Sequence, residues 1–297
     1  MRVLVFGADG QLGRELRDMA QARSVDFVGL ARVDADITHA ADVTRAIADH
    51  APAVVINAAA YTAVDRAEDE PATASAVNGK APGTIAAACN ASSIPLIHIS
   101  TDYVFDGSKA GAYTEADPAA PLGSYGRSKE EGERAVRASL DRHIIVRTSW
   151  VYGIHGGNFL TTMLRLAGER DVLRVVADQR GCPTATADLA EGLLVAAERA
   201  AAGDRIWGTY HLAGRGVTTW HAFASAIIDC GACYTGRRPT VQPITTAEFP
   251  TKAKRPANSE LDSSRFAQTF GFVAAPWRER VAEVVARLLA AKQEAVR

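Results

Sequence analysis

The stretch RVLVFGADGQLG at residues 2–13 decides the fold. Residues 2–6 form a short apolar run rich in β-branched side chains, which is typical of a buried parallel strand. Gly7, Gly10 and Gly13 follow at the spacing G-x-x-G-x-x-G, and a helical pattern of apolar residues begins directly after them. Glycines allow a tight turn and let a pyrophosphate approach the free N–H groups at the start of a helix. The stretch therefore predicts an α/β fold whose first turn binds a nucleotide.

Alternating strands and helices continue from this stretch through the first half of the chain. The apolar patterns predict strands at 26–31, 53–60, 95–100 and 143–149, and helices at 41–49, 72–90 and 124–140. Such alternation implies a parallel sheet covered by helices on both faces. With right-handed crossovers, the result is a Rossmann-type doubly wound sheet.

The second half of the chain is less regular. We predict helices at 159–167, 185–200, 220–228 and 278–292, strands at 173–176 and 209–212, and a polar, proline-rich irregular segment at 237–260. We therefore expect residues 1–150 to form an NAD(P)-binding core. Residues 151–297 would form a smaller C-terminal substrate-binding lobe, partly interleaved with that core.

Composition restricts the class of protein. The chain has 297 residues, 47% hydrophobic and 23% charged, with a formal net charge of -1. This near-neutral balance argues against a nucleic-acid binder that works through a basic face. The apolar runs fall short of the ~20 residues that span a bilayer, so we expect no membrane partner. Met1 leads straight into the first strand, and we expect a cytoplasmic protein without a targeting segment.

The four cysteines do not predict a metal site. Cys230 and Cys233 have the spacing of a redox or zinc half-site, but no second pair of ligands follows at a suitable spacing. We interpret them, with Cys89 and Cys182, as reduced structural thiols.

A catalytic group is predicted from Thr101, Tyr125 and Lys129. Tyr125 and Lys129 are four residues apart on a predicted helix, so their side chains share one face. Thr101 ends the fourth strand, at the carboxyl edge where doubly wound sheets bind ligands. A phenol has a pKa of ~10, and we expect the Lys129 ammonium to lower the pKa of Tyr125. A hydroxyl from Thr101 would hydrogen-bond the substrate oxygen. The group suits hydride transfer to a ketone with a proton from Tyr125.

Arg32 bears on the choice of cofactor. It follows the second strand, where a carboxylate would hold the ribose hydroxyls of NAD. A guanidinium at that place can pair with a 2′-phosphate, which favours NADPH over NADH. The alternative is a solvated surface arginine.

Seven motifs specify a family. In order along the chain they are GADGQLG, NAAAYTAVDRAE, STDYVFDG, YGRSK, RTSWVYG, DQRGCPT and KRPANSELD. Together they resemble the dTDP-4-dehydrorhamnose reductases, a family of extended short-chain dehydrogenases/reductases. STDYVFDG and YGRSK recur in many extended reductases, whereas NAAAYTAVDRAE and KRPANSELD are narrower. The resemblance implies that NAD(P)H reduces the 4-keto group of a dTDP-linked deoxysugar, giving dTDP-L-rhamnose.

The resemblance also implies roles for individual residues. Those expected beside the cofactor, with Gly7 and Gly13 of the turn, are Gly10, Gln11, Leu12, Asp36, Ile37, Ala58, Ala59, Ala60, Tyr61, Thr62, Tyr125 and Lys129. Those expected beside the substrate are Thr101, Asp102, Trp150, Val64 and Arg255. From the residues alone, Trp150 could be a core aromatic, but its place just after the fifth strand, at the carboxyl edge of the sheet, favours the site. The cluster of Lys252, Lys254 and Arg255 could be a solvated basic loop instead of a pyrophosphate site.

A metal and the functional alternatives stay open at this stage. Some members of the family are dimers bridged by Mg²⁺ through glutamates, but this chain has Ala187 and Arg287 where acids are expected. A metal-bridged dimer is therefore not predicted, and the protein is expected to be a monomer or a homodimer. One alternative is a reductase or epimerase of another nucleotide-linked deoxysugar. The other is a non-catalytic regulatory subunit of methionine adenosyltransferase, which looks similar.

Overall fold

The computed structural model describes the backbone of residues 1–294 and the side chains of residues 1–290. The strands are β1 (Arg2–Phe6), β2 (Asp26–Leu30), β3 (Val54–Asn57), β4 (Leu96–Thr101), β5 (His143–Thr148), β6 (Val151–Tyr152), β7 (Val172–Val176), β8 (Arg180–Gly181), β9 (Thr184–Ala185), β10 (Gly208–His211), β11 (Thr218–Thr219), β12 (Thr240–Ile244) and β13 (Asn258–Ser259). The helices are α1 (Gln11–Ala22), α2 (Ala40–His50), α3 (Pro71–Ala74), α4 (Ala81–Ala91), α5 (Ser124–Ser139), α6 (Phe159–Glu169), α7 (Thr186–Ala201), α8 (Trp220–Thr235), α9 (Ser264–Phe270) and α10 (Trp277–Glu294).

A six-stranded parallel sheet in the order β10-β5-β4-β3-β1-β2 forms the centre of the molecule. The chain passes from β1 outward to β2 and then returns to β3 on the other side of β1. This reversal is the topological switch point, where parallel sheets of this type open a crevice at the carboxyl ends of their strands. The predicted doubly wound Rossmann-type fold is confirmed.

Both faces of this sheet are buried, as the continuous apolar strands predict. Along β1, Val3 and Val5 pack with α1 and α7 on one face. Leu4 and Phe6 pack with α2 and α4 on the other face. The alternation of side chains along a strand thus supplies two separate cores from one five-residue segment.

The second half of the chain contributes to the sheet and also builds its own core. Helix α7 packs beside α1, and β10 forms the edge strand next to β5. Helices α6, α8 and α10 form a third core with β7. A small sheet in the order β11-β8-β13 joins three segments that are distant in sequence. Among the described residues no helix is both long and apolar enough to cross a membrane.

Two of the differences between the structure and the predicted elements have a clear physical reason. The predicted helix 72–90 is interrupted by a π-helical turn at Ser75–Lys80, just before Pro82. Proline has no N–H to donate, so the helix must change its hydrogen-bond pattern there. Segment 237–260 is not wholly irregular, because it contains β12, parallel to β7, and β13, beside β8. Strand β12 is mostly exposed and contains a proline. Its sequence therefore lacks the alternation of apolar and polar residues by which a half-buried strand is predicted.

Candidate active site

A cleft of about 700 Å³ opens at the carboxyl edge of the sheet, across the switch point. Residues from both halves of the chain line it. The predicted site residues on its wall are Gly7, Gly10, Gln11, Leu12, Arg32, Asp36, Ile37, Ala58, Ala59, Ala60, Thr62, Val64, Thr101, Asp102, Tyr125, Lys129 and Trp150. The cleft also includes Asp9, Tyr103 and Ser149, which the sequence reasoning did not select.

The glycine-rich turn forms one end of the cleft. Gly7 has φ +85°, and a Cβ there would lie 2.6 Å from the backbone nitrogen of Ala59. A Cβ on Gly13 would lie 2.3 Å from the carbonyl oxygen of Gly7, so only glycine lets α1 start this close to β1. Among the described residues no side chain caps the start of α1 at Gly10. Its first N–H groups therefore face the cleft as donors for a pyrophosphate, and the turn fits a dinucleotide cofactor.

Arg32 and Asp36 lie at the outer end of this cofactor side. The Nε of Arg32 donates to Oδ2 of Asp36 at 3.0 Å, and the arginine side chain is 82% exposed. Hydrogen bonds from the hydroxyl and backbone N–H of Thr38 lower the pKa of Asp36 to about 2. A carboxylate and a mobile guanidinium are thus both available where the adenosine ribose of a dinucleotide would lie.

The loop after β3 is fixed by a buried asparagine on the π-helical turn. Asn78 accepts from the backbone N–H of Tyr61 at 2.8 Å and donates to its carbonyl at 3.0 Å. It also donates to the hydroxyl of Ser128 on α5 at 3.1 Å. The Tyr61 hydroxyl donates instead to Glu70 at 2.8 Å. Tyr61, which was expected beside the cofactor, is therefore not on the described cleft wall, although its neighbours Ala60 and Thr62 are.

Tyr125 stands at the first turn of α5, beside Thr101. Its ring packs edge-on against Tyr103, with centroids 5.5 Å apart and an angle of 78° between the planes. Burial raises the pKa of Tyr125 well above its ordinary value. Asp102 and Tyr103 raise it further, and only a hydrogen bond with Thr101 lowers it. The phenol is therefore held protonated, as a proton donor must be.

Lys129 is buried one turn along α5. Its Nζ donates to the carbonyl oxygen of Ile99 at 2.6 Å. Burial lowers the pKa of Lys129 to about 8, and the carboxylate of Glu133 opposes this shift. We expected Lys129 to lower the pKa of Tyr125, whereas in the structure burial dominates that pKa and the ammonium is directed at Ile99.

A buried ion pair, missed by the sequence reasoning, supports these groups from below. Glu133 accepts from Arg147 at 2.8 and 2.7 Å and from the hydroxyl of Ser100 at 2.6 Å. Lys129 and Glu133, four residues apart on α5, thus bind Ile99 and Ser100, the two residues that precede Thr101. The arginine in the otherwise apolar run HIIVRTS was the available signal, because an unpaired buried charge is too costly to keep.

Asp102 follows Thr101 and is equally buried. Its Oδ1 accepts from the Thr101 hydroxyl at 3.1 Å, and Oδ2 has no partner among the described residues. Burial raises the pKa of Asp102 to about 6. An unsatisfied buried carboxylate oxygen on a cleft wall is a ready acceptor for a ligand hydroxyl.

The predicted cation Arg255 lies next to the cleft, not on its wall. It donates to Asp65 at 2.7 Å and to the hydroxyl of Tyr103 at 3.0 Å. Lys252 pairs with Asp69 of the same loop, and Lys254 is exposed. The basic segment is thus already bound to acids near the cofactor loop.

A divalent metal does not fit the position that the family suggests. The buried Glu15 accepts from the Thr186 hydroxyl at 2.7 Å, and the Arg287 guanidinium lies 3.7 Å from its other oxygen. Mg²⁺ requires several oxygen ligands. In the part of the chain that the structure describes, no three His, Cys, Asp or Glu side chains form a group that could hold a metal. The four cysteines are free thiols.

Comparisons with known proteins agree with this arrangement. Residues 1–290 match the family model described as RmlD substrate binding domain. A dTDP-4-dehydrorhamnose reductase from Sinorhizobium fredii (strain NBRC 101917 / NGR234) is 43% identical over 97% of this chain and 98% of its own length. A probable dTDP-4,6-dihydroxy-2-methyloxan-3-one 4-ketoreductase from Streptomyces antibioticus is 37% identical over 100% and 99%. The crystal structure of dTDP-4-dehydrorhamnose reductase from Bacillus anthracis str. Ames in complex with NADP superposes with a TM-score of 0.89, at 35% identity over 96% and 99%.

Proposed function

The chain belongs to the dTDP-4-dehydrorhamnose reductase family, and we propose that it reduces the 4-keto group of dTDP-4-dehydro-L-rhamnose to give dTDP-L-rhamnose. One observation carries the proposal. Thr101, Tyr125 and Lys129 meet on the wall of a single cleft, which a glycine-rich dinucleotide turn closes at one end. The enzyme is an NAD(P)H-dependent oxidoreductase.

The cofactor side of the cleft would be formed by residues of the first 150. The start of α1 at Gly10 would bind the pyrophosphate, and the loop after β3 would follow the chain of the cofactor. Arg32 would bind a 2′-phosphate, which favours NADPH, and Asp36 would serve the ribose hydroxyls of NADH. The NADP in the Bacillus anthracis relative supports this preference. The bound nicotinamide supplies the hydride.

Tyr125 would donate the proton that completes the alcohol. Burial raises its pKa, so the phenol is protonated before the reaction but is a weak acid until a positive charge stabilises the phenolate. The phenolate left behind needs a nearby positive charge, and Lys129, whose pKa is about 8, is charged at neutral pH. Thr101 would donate a hydrogen bond to the substrate oxygen as negative charge develops there. Tyr125 would thus act as the acid, Lys129 as the counter-charge and Thr101 as the hydrogen-bond donor to the oxyanion.

The substrate side would combine Arg255, from the lobe of residues 151–297, with side chains of the first 150 residues. Asp102 would accept from a sugar hydroxyl, and Trp150 and Val64 would contact the sugar nucleotide. Arg255 would bind the substrate pyrophosphate. Its guanidinium would release Asp65 and donate to phosphate oxygens instead. No Mg²⁺ is needed in this scheme, because Arg287 already faces Glu15. The protein would act as a monomer or homodimer.

A second candidate follows from the Streptomyces antibioticus relative, named for reduction of another keto-sugar at its 4-position. The same catalytic group would serve both reactions, with different contacts to the sugar. The test is NADPH oxidation by the purified chain with dTDP-4-dehydro-L-rhamnose, compared with other dTDP-linked 4-keto-deoxysugars. Turnover with the rhamnose precursor at the highest kcat/KM supports the first proposal. Preference for another sugar supports the second, and no turnover with any of them would favour a regulatory subunit.

A further inference from the structure

The backbone at Trp150 is unusual for a bulky residue. Four described residues other than glycine have positive φ, and Ser24, Ala51 and Ser93 all follow the ends of helices. Trp150, with φ +49°, instead lies two residues after the end of β5 and lines the cleft. Large side chains rarely adopt this conformation, and strain of this kind concentrates at functional sites. Surrounding structure must therefore hold the indole in place.

Trp220 provides one part of that support. Its ring is stacked on that of Trp150, with centroids 3.6 Å apart and planes within 10°. Phe159 packs against Trp220 in turn, at 4.6 Å. Aromatic pairs favour offset or edge-to-face packing over direct face-to-face stacking. The two indoles are therefore brought together by the elements that carry them.

Those elements belong to the small sheet. Gly181 on β8 lies so close to the edge of the Trp150 indole that a Cβ there would be 2.4 Å from its Cε2. Gly181 pairs with Thr218 on β11, and β11 leads directly into Trp220 at the start of α8. The Thr219 hydroxyl caps α8 by accepting from the N–H of Ala222 at 3.2 Å. The pair of β8 and β11 thus fixes both Gly181, at the edge of the Trp150 indole, and Trp220, on its face.

We propose that Trp220 is a positioning residue for the substrate, which holds the Trp150 indole against the sugar ring of the bound nucleotide-sugar. The inference rests on the proposed function, in which Trp150 contacts the sugar. An indole that is fixed before binding offers an apolar wall to a deoxysugar without losing side-chain freedom on binding. Trp220 does not line the described cleft, whereas Trp150 does, so Trp220 would act through Trp150.

Two substitutions separate stacking from simple filling of space. Trp220→Leu keeps apolar volume but removes the ring, and an aromatic pair contributes ~0.5–1.5 kcal/mol beyond burial, equal to about a 2- to 12-fold change. We expect the substrate KM to rise by that factor while NADPH affinity stays unchanged. Trp220→Phe keeps a stacking ring and should remain within about twofold of the wild type, on the same scale. Trp207→Phe, in the first core, is the matched control.

A spectroscopic measurement provides a test that is independent of activity. Two closely stacked indoles couple their transitions, so the wild type and Trp207→Phe should show an exciton couplet in circular dichroism that both Trp220 variants lose. Added dTDP-sugar should change the couplet of the wild type, because the sugar would touch one of the two rings. This last measurement needs no variant, so it applies even where Trp220→Leu fails to fold.

The outcomes separate the inference from the proposed function. A wild-type substrate KM in Trp220→Leu, or a couplet that dTDP-sugar leaves unchanged, rejects the role of Trp220 and leaves the reductase assignment intact. Parallel loss of NADPH affinity in Trp220→Leu also rejects it, because the effect would then be general. Absence of wild-type turnover with every dTDP-keto-sugar rejects the proposed function before any variant is compared.

Discussion

The two sides of the cleft are built in different ways. The cofactor side is made mostly of backbone from short local segments, with Gly7, Gly13 and the loop after β3 in close contact. The side proposed to bind substrate is made of side chains, such as Trp150, that remote segments support, as the pairing of β8 and β11 does by placing Trp220 on its ring. Backbone recognition needs only a turn and a helix start. Recognition by side chains depends on the whole tertiary structure.

The two sides meet at α5 and the end of β4, and the largest expected effect lies there. Tyr125→Phe removes only the hydroxyl, so packing against Tyr103 should survive. General acid catalysis contributes ~10²–10⁴-fold in rate, and turnover should fall by about that factor. NADPH binding, measured by fluorescence titration, should stay near the wild-type value. A variant with near-full turnover would show that the proton comes from another group.

The buried ion pair of Glu133 and Arg147 lies beneath this junction. A substitution there tests whether the pair stabilises the fold. Glu133→Gln removes a fully buried carboxylate and leaves Arg147 without its counter-charge. Breaking a buried pair costs about 3–5 kcal/mol, and urea denaturation should show a loss of that size. Glu198→Gln, which removes an exposed pair with Arg23, is the control and should cost less than ~1 kcal/mol. Equal losses in the two variants would mean that burial of Glu133 adds nothing.

The cofactor side itself is tested at Arg32. If its guanidinium binds a 2′-phosphate, Arg32→Ala should weaken the binding of NADPH by ~1.5–3 kcal/mol, the range of a charged hydrogen bond. NADH has no 2′-phosphate and serves as the internal control, so its binding should barely change. Identical Michaelis constants for both cofactors before and after the substitution would make Arg32 a solvated surface residue.

The pH dependence of turnover tests Lys129. Because the pKa of Lys129 is lowered to about 8, its ammonium is present below pH 8 and is lost above it. We therefore expect kcat to be flat near neutrality and to fall about tenfold per pH unit above pH 8, the slope of a single ionisation. In Lys129→Met, kcat should be lower throughout and should no longer fall above pH 8. This variant should also bind the cofactor more weakly, whereas Tyr125→Phe should not. If kcat of Lys129→Met still falls above pH 8 as it does in the wild type, the ionisation belongs to another group.

The smallest expected effect concerns metal. Because Arg287 already faces the buried Glu15, EDTA should leave both turnover and the molecular mass in solution unchanged. Light scattering and an NADPH assay, each with and without added Mg²⁺, make the comparison. Dissociation of a dimer or loss of turnover on chelation would contradict this interpretation.

The same contrast explains what the sequence could predict. The Rossmann order and the Tyr125 helix follow from local periodicity and spacing, and the structure contains both. Glu133, Arg147 and the stack on Trp150 depend on contacts between segments far apart in the chain, which spacing does not encode. Arg255 is expected beside the substrate from the family resemblance and from its charge, but its partners Asp65 and Tyr103 are visible only in three dimensions. The raised pKa of Tyr125 likewise depends on burial and on the neighbouring Asp102 and Tyr103, which spacing along the helix does not encode.

Isotope transfer tests the central claim, that hydride from the cofactor side and a proton from Tyr125, where the two sides meet, reach the same carbonyl group. NADPH deuterated at the transferring position is supplied with dTDP-4-dehydro-L-rhamnose, and the product is examined by NMR. The account predicts one deuterium at carbon 4 of dTDP-L-rhamnose, formed by the wild type and suppressed with turnover in Tyr125→Phe. Deuterium at any other carbon, or rhamnose formed without deuterium, would contradict it.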